Sequence, residues 1–149
     1  MLKKLHNHWP QVLGCIILVV LLACIRAYES ELFYDPFARY FESEYLNLRF
    51  PEFDFWKLVG SLSVRYLLNM IVSLAIIYVL FRDTQLIRFS AFLYFVFFMI
   101  LLLGFIVIIT LFDSEQNFFL FYIRRFLIQP LFLLLFVPAF FYQTRLLKK

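Results

Sequence analysis

Glycine and charge are what this chain has least of. Three Gly among 149 residues exclude a collagen-like repeat, in which every third residue is glycine. Charged residues amount to 16% where a soluble domain carries about 25%, so the chain falls outside the soluble class. Intrinsic disorder needs low hydrophobicity, and 64% of these residues are hydrophobic. Two Cys cannot staple a disulfide scaffold. Phenylalanine is abundant instead, at 22 residues, alongside long uncharged runs. The composition reads as an all-α integral membrane protein with a single membrane domain over residues 1–149.

A helix needs roughly 20 mainly apolar residues to cross the hydrocarbon core. Four stretches qualify, at about 9–27, 62–82, 88–112 and 119–143, and they predict a four-helix bundle. Pro10 suits a first helical turn, where its missing N–H is no loss. Pro130 and Pro138 fall in the fourth stretch and predict a kink there, because neighbouring helices in a membrane can take up the freed carbonyls. That stretch has two possible starts, Asn117 or Phe126. No stretch shows the period-2 alternation of a transmembrane barrel.

Residues 28–57 separate the first two spans and hold seven carboxylates and eleven aromatic rings. Asp35 before Pro36 reads as an N-cap followed by a first helical residue, with Phe37, Tyr40, Phe41 and Tyr45 recurring at helical spacing. An amphipathic, aromatic-rich loop lying on the bilayer or over the bundle is expected, since such rings favour the headgroup zone. The cluster from Phe50 to Trp56 around Pro51 is expected to lie there too, without regular helix.

Four spans put both termini on one side. That side carries Lys3, Lys4, Arg82, Arg88, Arg145, Lys148 and Lys149 against Asp83, a net of +6. The other side carries Arg39, Arg49 and Lys57 against nine acids, a net of −6, with Arg26, Arg65, Arg124 and Arg125 at or inside the span ends. Orientation follows Lys and Arg more than acids, and those tally seven on each side. The basic start Met1-Leu2-Lys3-Lys4, and Glu29 and Glu31 beside Arg26, favour cytoplasmic termini, with residues 28–57 extracytoplasmic.

Charged side chains inside a membrane are costly unless paired or hydrated, so their placement is informative. Arg65, Asn69 and Ser73 form an i, i+4 stripe on the second span, and Arg125 and Gln129 do the same on the fourth. Four residues of helix descend about 6 Å, so Asn69 and Gln129 are expected to bond across the bundle. Two readings fit. In one, the amides glue helices together while the arginines reach lipid phosphates. In the other, Arg26, Arg65, Asn69, Arg124, Arg125 and Gln129 wall an outer-leaflet pocket for a phosphate, a carboxylate or a partner's acid, a task suited to the planar guanidinium fork. The local acids Glu29, Asp113 and Glu115 compete for the same positions.

Catalytic, metal and cofactor sites are not expected. His6 and His8 point to different faces, and Cys24 lies sixteen residues from His8, about 24 Å along a helix. Cys15 sits mid-span as a small apolar filler. No zinc-protease, phosphate-loop or glycine-flanked serine motif is present, and no nucleic-acid partner is indicated. Leu21-Leu22-Ala23-Cys24 after Lys3 and Lys4 resembles a lipoprotein signal-peptide box; Leu22 is unusual there, and a plain first span has the same composition.

Four stretches carry a resemblance: Ile25-Arg26-Ala27-Tyr28-Glu29, Leu32-Phe33-Tyr34-Asp35-Pro36-Phe37, Arg65-Tyr66-Leu67-Leu68-Asn69, and Phe121 through Gln143. In them the chain resembles the exosortase F system-associated membrane proteins of Bacteroidetes, over nearly its whole length. The resemblance implies a small inner-membrane protein encoded near an exosortase, the multi-spanning cysteine transpeptidase that processes sorted surface proteins. It brings no catalytic residues with it. The function expected is a non-catalytic accessory protein supporting that enzyme or its substrate. The alternatives are an outer-leaflet binder of phospholipid or lipid-linked glycan and a small transporter subunit, the latter disfavoured because the third span from Phe89 to Phe112 offers no polar residue beyond Ser90, Tyr94 and Thr110 to line a path.

Overall fold

The structure is a computed structural model, and it describes residues 8–43, 49–112, 116–129 and 131–148. Lys3, Lys4, His6, Tyr45, Asp113, Glu115, Pro130 and Lys149, all used in the sequence reading, lie outside the described residues. Among those described the chain is all helical: α1 (Trp9–Ala27), α2 (Glu29–Leu32), α3 (Pro36–Glu42), α4 (Phe55–Phe81), α5 (Thr84–Leu111), α6 (Asn117–Ile128) and α7 (Leu131–Leu147).

Helices α1, α4 and α5 are each long and apolar enough to cross a bilayer, which marks the chain as a membrane protein. The expected fourth span is instead two helices, α6 and α7, that meet at a bend of 62° and make a further span only when taken together. The break falls at Gln129, whose backbone is extended (φ −109°, ψ 142°), the conformation favoured in a residue that precedes proline. Pro138, by contrast, sits inside α7, and the helix runs on through it to Leu147.

Two helix starts differ from the sequence expectation because capping overrides hydropathy, and α7 runs four residues past the expected 143, to Leu147. Helix α4 starts at Phe55, seven residues before 62, because the Asp54 side chain accepts the Lys57 N–H at 3.4 Å and closes the first turn. Phe55 and Trp56, expected in irregular backbone, therefore belong to α4. Helix α5 starts at Thr84 because the Asp83 carboxylate accepts the Gln85 N–H at 2.8 Å. Arg82 joins the two helices in a left-handed conformation, φ 50°, with its N–H donating to the Tyr78 carbonyl at 2.8 Å. That is a helix C-cap normally filled by Gly or Asn, and it turns α5 back against α4 within two residues.

Helix α4 is the central post. Its buried residues Leu58, Leu62, Arg65, Tyr66, Asn69, Val72, Ser73, Ile76 and Ile77 recur three and four apart along one face. Helix α1 runs antiparallel along it, with Gly14 opposite Val79 at one end and Glu29 opposite Arg65 at the other. None of α1's own residues is buried, so most of its apolar surface faces outward. Aromatic rings join the other helices. Tyr66 donates its hydroxyl to the Tyr94 carbonyl at 2.6 Å, and Phe132 of α7 stacks on Phe97 of α5 at 4.5 Å.

The segment between α1 and α4 folds over the bundle through Phe37 of α3. This ring is fully buried, and Tyr40, Phe41, Phe50, Phe53 and Phe105 surround it with centroids 5.5 to 6.1 Å away. Such ring pairs contribute about 0.5 to 1.5 kcal/mol each beyond area burial. Phe37→Ala is expected to destabilise the folded protein by about 3 kcal/mol or more, since the cavity cannot be refilled. Trp56→Ala, at a ring 79% exposed, serves as the control and is expected to cost under about 0.5 kcal/mol. Unfolding in a mild detergent measures both; equal losses would contradict the packing described.

Candidate functional site

Arg65 sits ten residues into α4, about 15 Å from the helix start, and is 2% exposed. A guanidinium buried this deeply requires a paired and hydrogen-bonded partner. Two carboxylates from the segment after α1 supply it. Arg65 Nη1 donates to Asp35 Oδ2 at 3.1 Å, and Nη2 donates to Glu29 Oε2. Arg124 of α6, also buried, donates through Nη2 to the same Asp35 Oδ2 and through Nε to Oδ1 at 3.4 Å. Phe33 lies 5.5 Å from the Arg65 guanidinium carbon, and Phe41 lies 5.6 Å from that of Arg124, so each cation also faces an aromatic ring. Two cations and two anions leave the cluster neutral.

Local backbone makes this arrangement possible. A residue before proline is held out of the helical region, and Asp35 has φ −146° and ψ 87° before Pro36. The sequence reading gave Asp35 the role of N-cap for α3, but its side chain makes no capping bond. Its oxygens are taken by the two arginines, whose need for a counter-ion outweighs a cap worth about 1 kcal/mol. Asp35 is the functional residue that sequence reasoning missed. Its one signal was general: two deep arginines demand two carboxylates, and the first loop is the acidic segment.

The amides also choose partners other than those expected. Asn69 does not meet Gln129; its Nδ2 donates to the Ile128 carbonyl at 2.9 Å. That carbonyl belongs to the last turn of α6, where the helix leaves its acceptors unused. Gln129 instead accepts from Arg125 Nε at 3.2 Å. Helix α4 is therefore pinned to α6 at two levels, through Arg65, Asp35 and Arg124 at one and Asn69 at the other.

The six residues singled out in the sequence thus divide. Arg65 and Arg124 are buried and neutralised by Glu29 and Asp35, so local acids occupy these two positions. Arg26 and Arg125 are exposed, and neither forms an ion pair among the described residues. Arg26, Arg65, Asn69 and Gln129 share the lining of a groove of about 400 Å³ between α1, α4 and the α6–α7 break. Arg124 and Arg125 lie outside that lining. Among the described residues no group of three His, Cys, Asp or Glu is placed to hold a metal ion. Cys24 is exposed near the end of α1, and His8 at its other end bonds Gln11 at 2.8 Å. A scan of protein-family models, of characterised proteins and of solved structures finds nothing that matches this chain.

Chemically, the neutral cluster is a latch: it ties the segment after α1 to α4 and α6. Asp35 is 6% exposed and Glu29 36%, so water can replace Glu29 but not Asp35. Asp35→Asn is expected to cost about 3 to 5 kcal/mol, because it strands two buried cations. Glu29→Gln is expected to cost about 1 kcal/mol or less. A double-mutant cycle of Asp35→Asn with Arg124→Gln should give a coupling energy of at least about 1 kcal/mol. Equal effects of the two single carboxylate variants, or zero coupling, would contradict the latch.

Proposed function

We propose that this chain is a non-catalytic accessory protein of an exosortase-type protein-sorting system, supporting the membrane transpeptidase or its substrate. The observation that carries this reading is the neutral buried latch. Its ionisable groups hold one another, so they serve to position the aromatic segment of residues 28–57 instead of reacting with a substrate. The resemblance in the Arg26, Asp35, Arg65 and Phe121–Gln143 stretches supports the same reading.

In this proposal the chain crosses an inner membrane four times with both termini cytoplasmic. Helix α6 alone reaches about 18 Å, short of the roughly 30 Å hydrocarbon core, so α6 and α7 act as one broken span. The basic start Met1-Leu2-Lys3-Lys4, and Glu29 and Glu31 beside Arg26, support this orientation. Helix α1 then offers the partner surface. It has no buried residue, and packing against a second membrane protein needs shape complementarity more than hydrophobicity, since lipid is equally apolar.

Site-specific photo-crosslinking in the native host tests the proposal. A crosslinking residue at Ile16 or Val20, both more than half exposed, is expected to capture an exosortase, while one at fully buried Ile77 is expected to capture none. Removing the chain should lower exosortase abundance or sorted-substrate processing. Capture of no membrane protein from α1, together with unchanged sorting in its absence, would refute the proposal.

A further inference from the structure

The two classes of arginine lead to a site the latch does not use. The groove beside the latch has apolar walls from Val19 and Leu22 of α1 and from Leu133 and Leu134 of α7. Its polar lining comes from Arg26 of α1, Gln129 at the α6–α7 break, Asn69 of α4 and the latch pair Glu29 and Arg65. Arg125 stands just outside, 3.2 Å from the Gln129 side-chain oxygen. Val19 is at the middle of α1 and Arg26 is one residue from its end, so the groove runs about 10 Å from mid-span to span end.

We propose that this groove seats one acyl chain of a bilayer phospholipid whose anionic headgroup is held by Arg26 and Arg125. Charge complementarity argues for that occupant. Glu29 at the mouth is paired with Arg65, which leaves Arg26 and Arg125 with no ion-pair partner among the described residues. Basic pockets between membrane helices are suited to anionic headgroups, and the guanidinium fork bonds a phosphate through two hydrogens. The groove's volume of about 400 Å³ falls within the roughly 300 to 1,000 Å³ typical of small-ligand sites.

The α6–α7 break supplies one wall of the groove, with Ile128, Gln129 and Leu131 lining it beside Leu133 and Leu134. Asn69 holds the break in place through the Ile128 carbonyl and itself lines the groove. This inference goes beyond the accessory role and does not rest on it, because it concerns lipid bound by the chain alone.

Native mass spectrometry of the purified full chain tests it, with nanodiscs of equal phosphatidylglycerol and phosphatidylcholine as the lipid source. The expected result is one retained phospholipid, with phosphatidylglycerol preferred about tenfold or more, as two charge-assisted contacts allow. The double variant Arg26→Gln and Arg125→Gln, altered only at exposed residues, is expected to bring the ratio near one. Ala23→Trp, which fills the groove while keeping both arginines in the chain, is expected to lower retention of both lipids; a single symmetrical peak on gel filtration verifies folding of each variant. Absence of retained phospholipid, equal retention of the two lipids by the wild type, or an undiminished preference in the double variant would overturn the proposal. So would a polyprenyl lipid or a second copy of the chain found in the groove after isolation from native membranes.

Discussion

A single carboxylate shared between two buried guanidinium groups is the constraint on which this structure rests. Arg65 and Arg124 lie 59 residues apart in sequence on different helices, and both would be untenable in a low-dielectric interior without a counter-ion. Asp35 answers both at once. Because Asp35 is carried by the segment between α1 and α4, satisfying the arginines also pulls that segment onto the bundle, where Phe37 seats itself among five other rings. Charge fixes the position and aromatic packing fills it. Neither alone accounts for the segment: the rings lack direction, and the ion pairs cover little area.

The same neutralisation explains why the remaining arginines are different. Once Glu29 and Asp35 are committed, no described acid pairs Arg26 or Arg125, and both lie at the exposed edge where α1 ends and α6 breaks. Their position beside an apolar groove is a consequence of the break at Gln129, and the break in turn is stabilised by Asn69 acting as a cap for a helix on the other side of the groove. Latch, break and groove are thus connected through neighbouring turns of α4.

Much of this was legible in the residues, and the part that was not shares one cause. Uncharged runs located the apolar helices, and the four-residue spacing of Arg65, Asn69 and Ser73 identified a polar face that is indeed buried. What local patterns could not supply was partnership across long separations. Asp35 lies 30 residues from Arg65 and 89 from Arg124, and the Asp-Pro grammar that makes it look like a cap is silent about either. Asn69 and Gln129 were at comparable heights, yet the unsatisfied Ile128 carbonyl, a backbone group invisible in side-chain spacing, was the better acceptor. The early start of α4 had a local signal in Asp54, but a search for uncharged runs stops at Lys57 and passes over it.

Amide hydrogen exchange of α3 in lipid nanodiscs, compared between the wild type and Asp35→Asn, reads the central claim most directly. If one carboxylate holds the segment to the bundle, α3 amides are protected in the wild type and exchange at least about tenfold faster in the variant, while α5 amides are unchanged. Unaltered protection of α3 in a folded Asp35→Asn protein would show that the aromatic packing suffices by itself and that the shared carboxylate is not what fastens the segment.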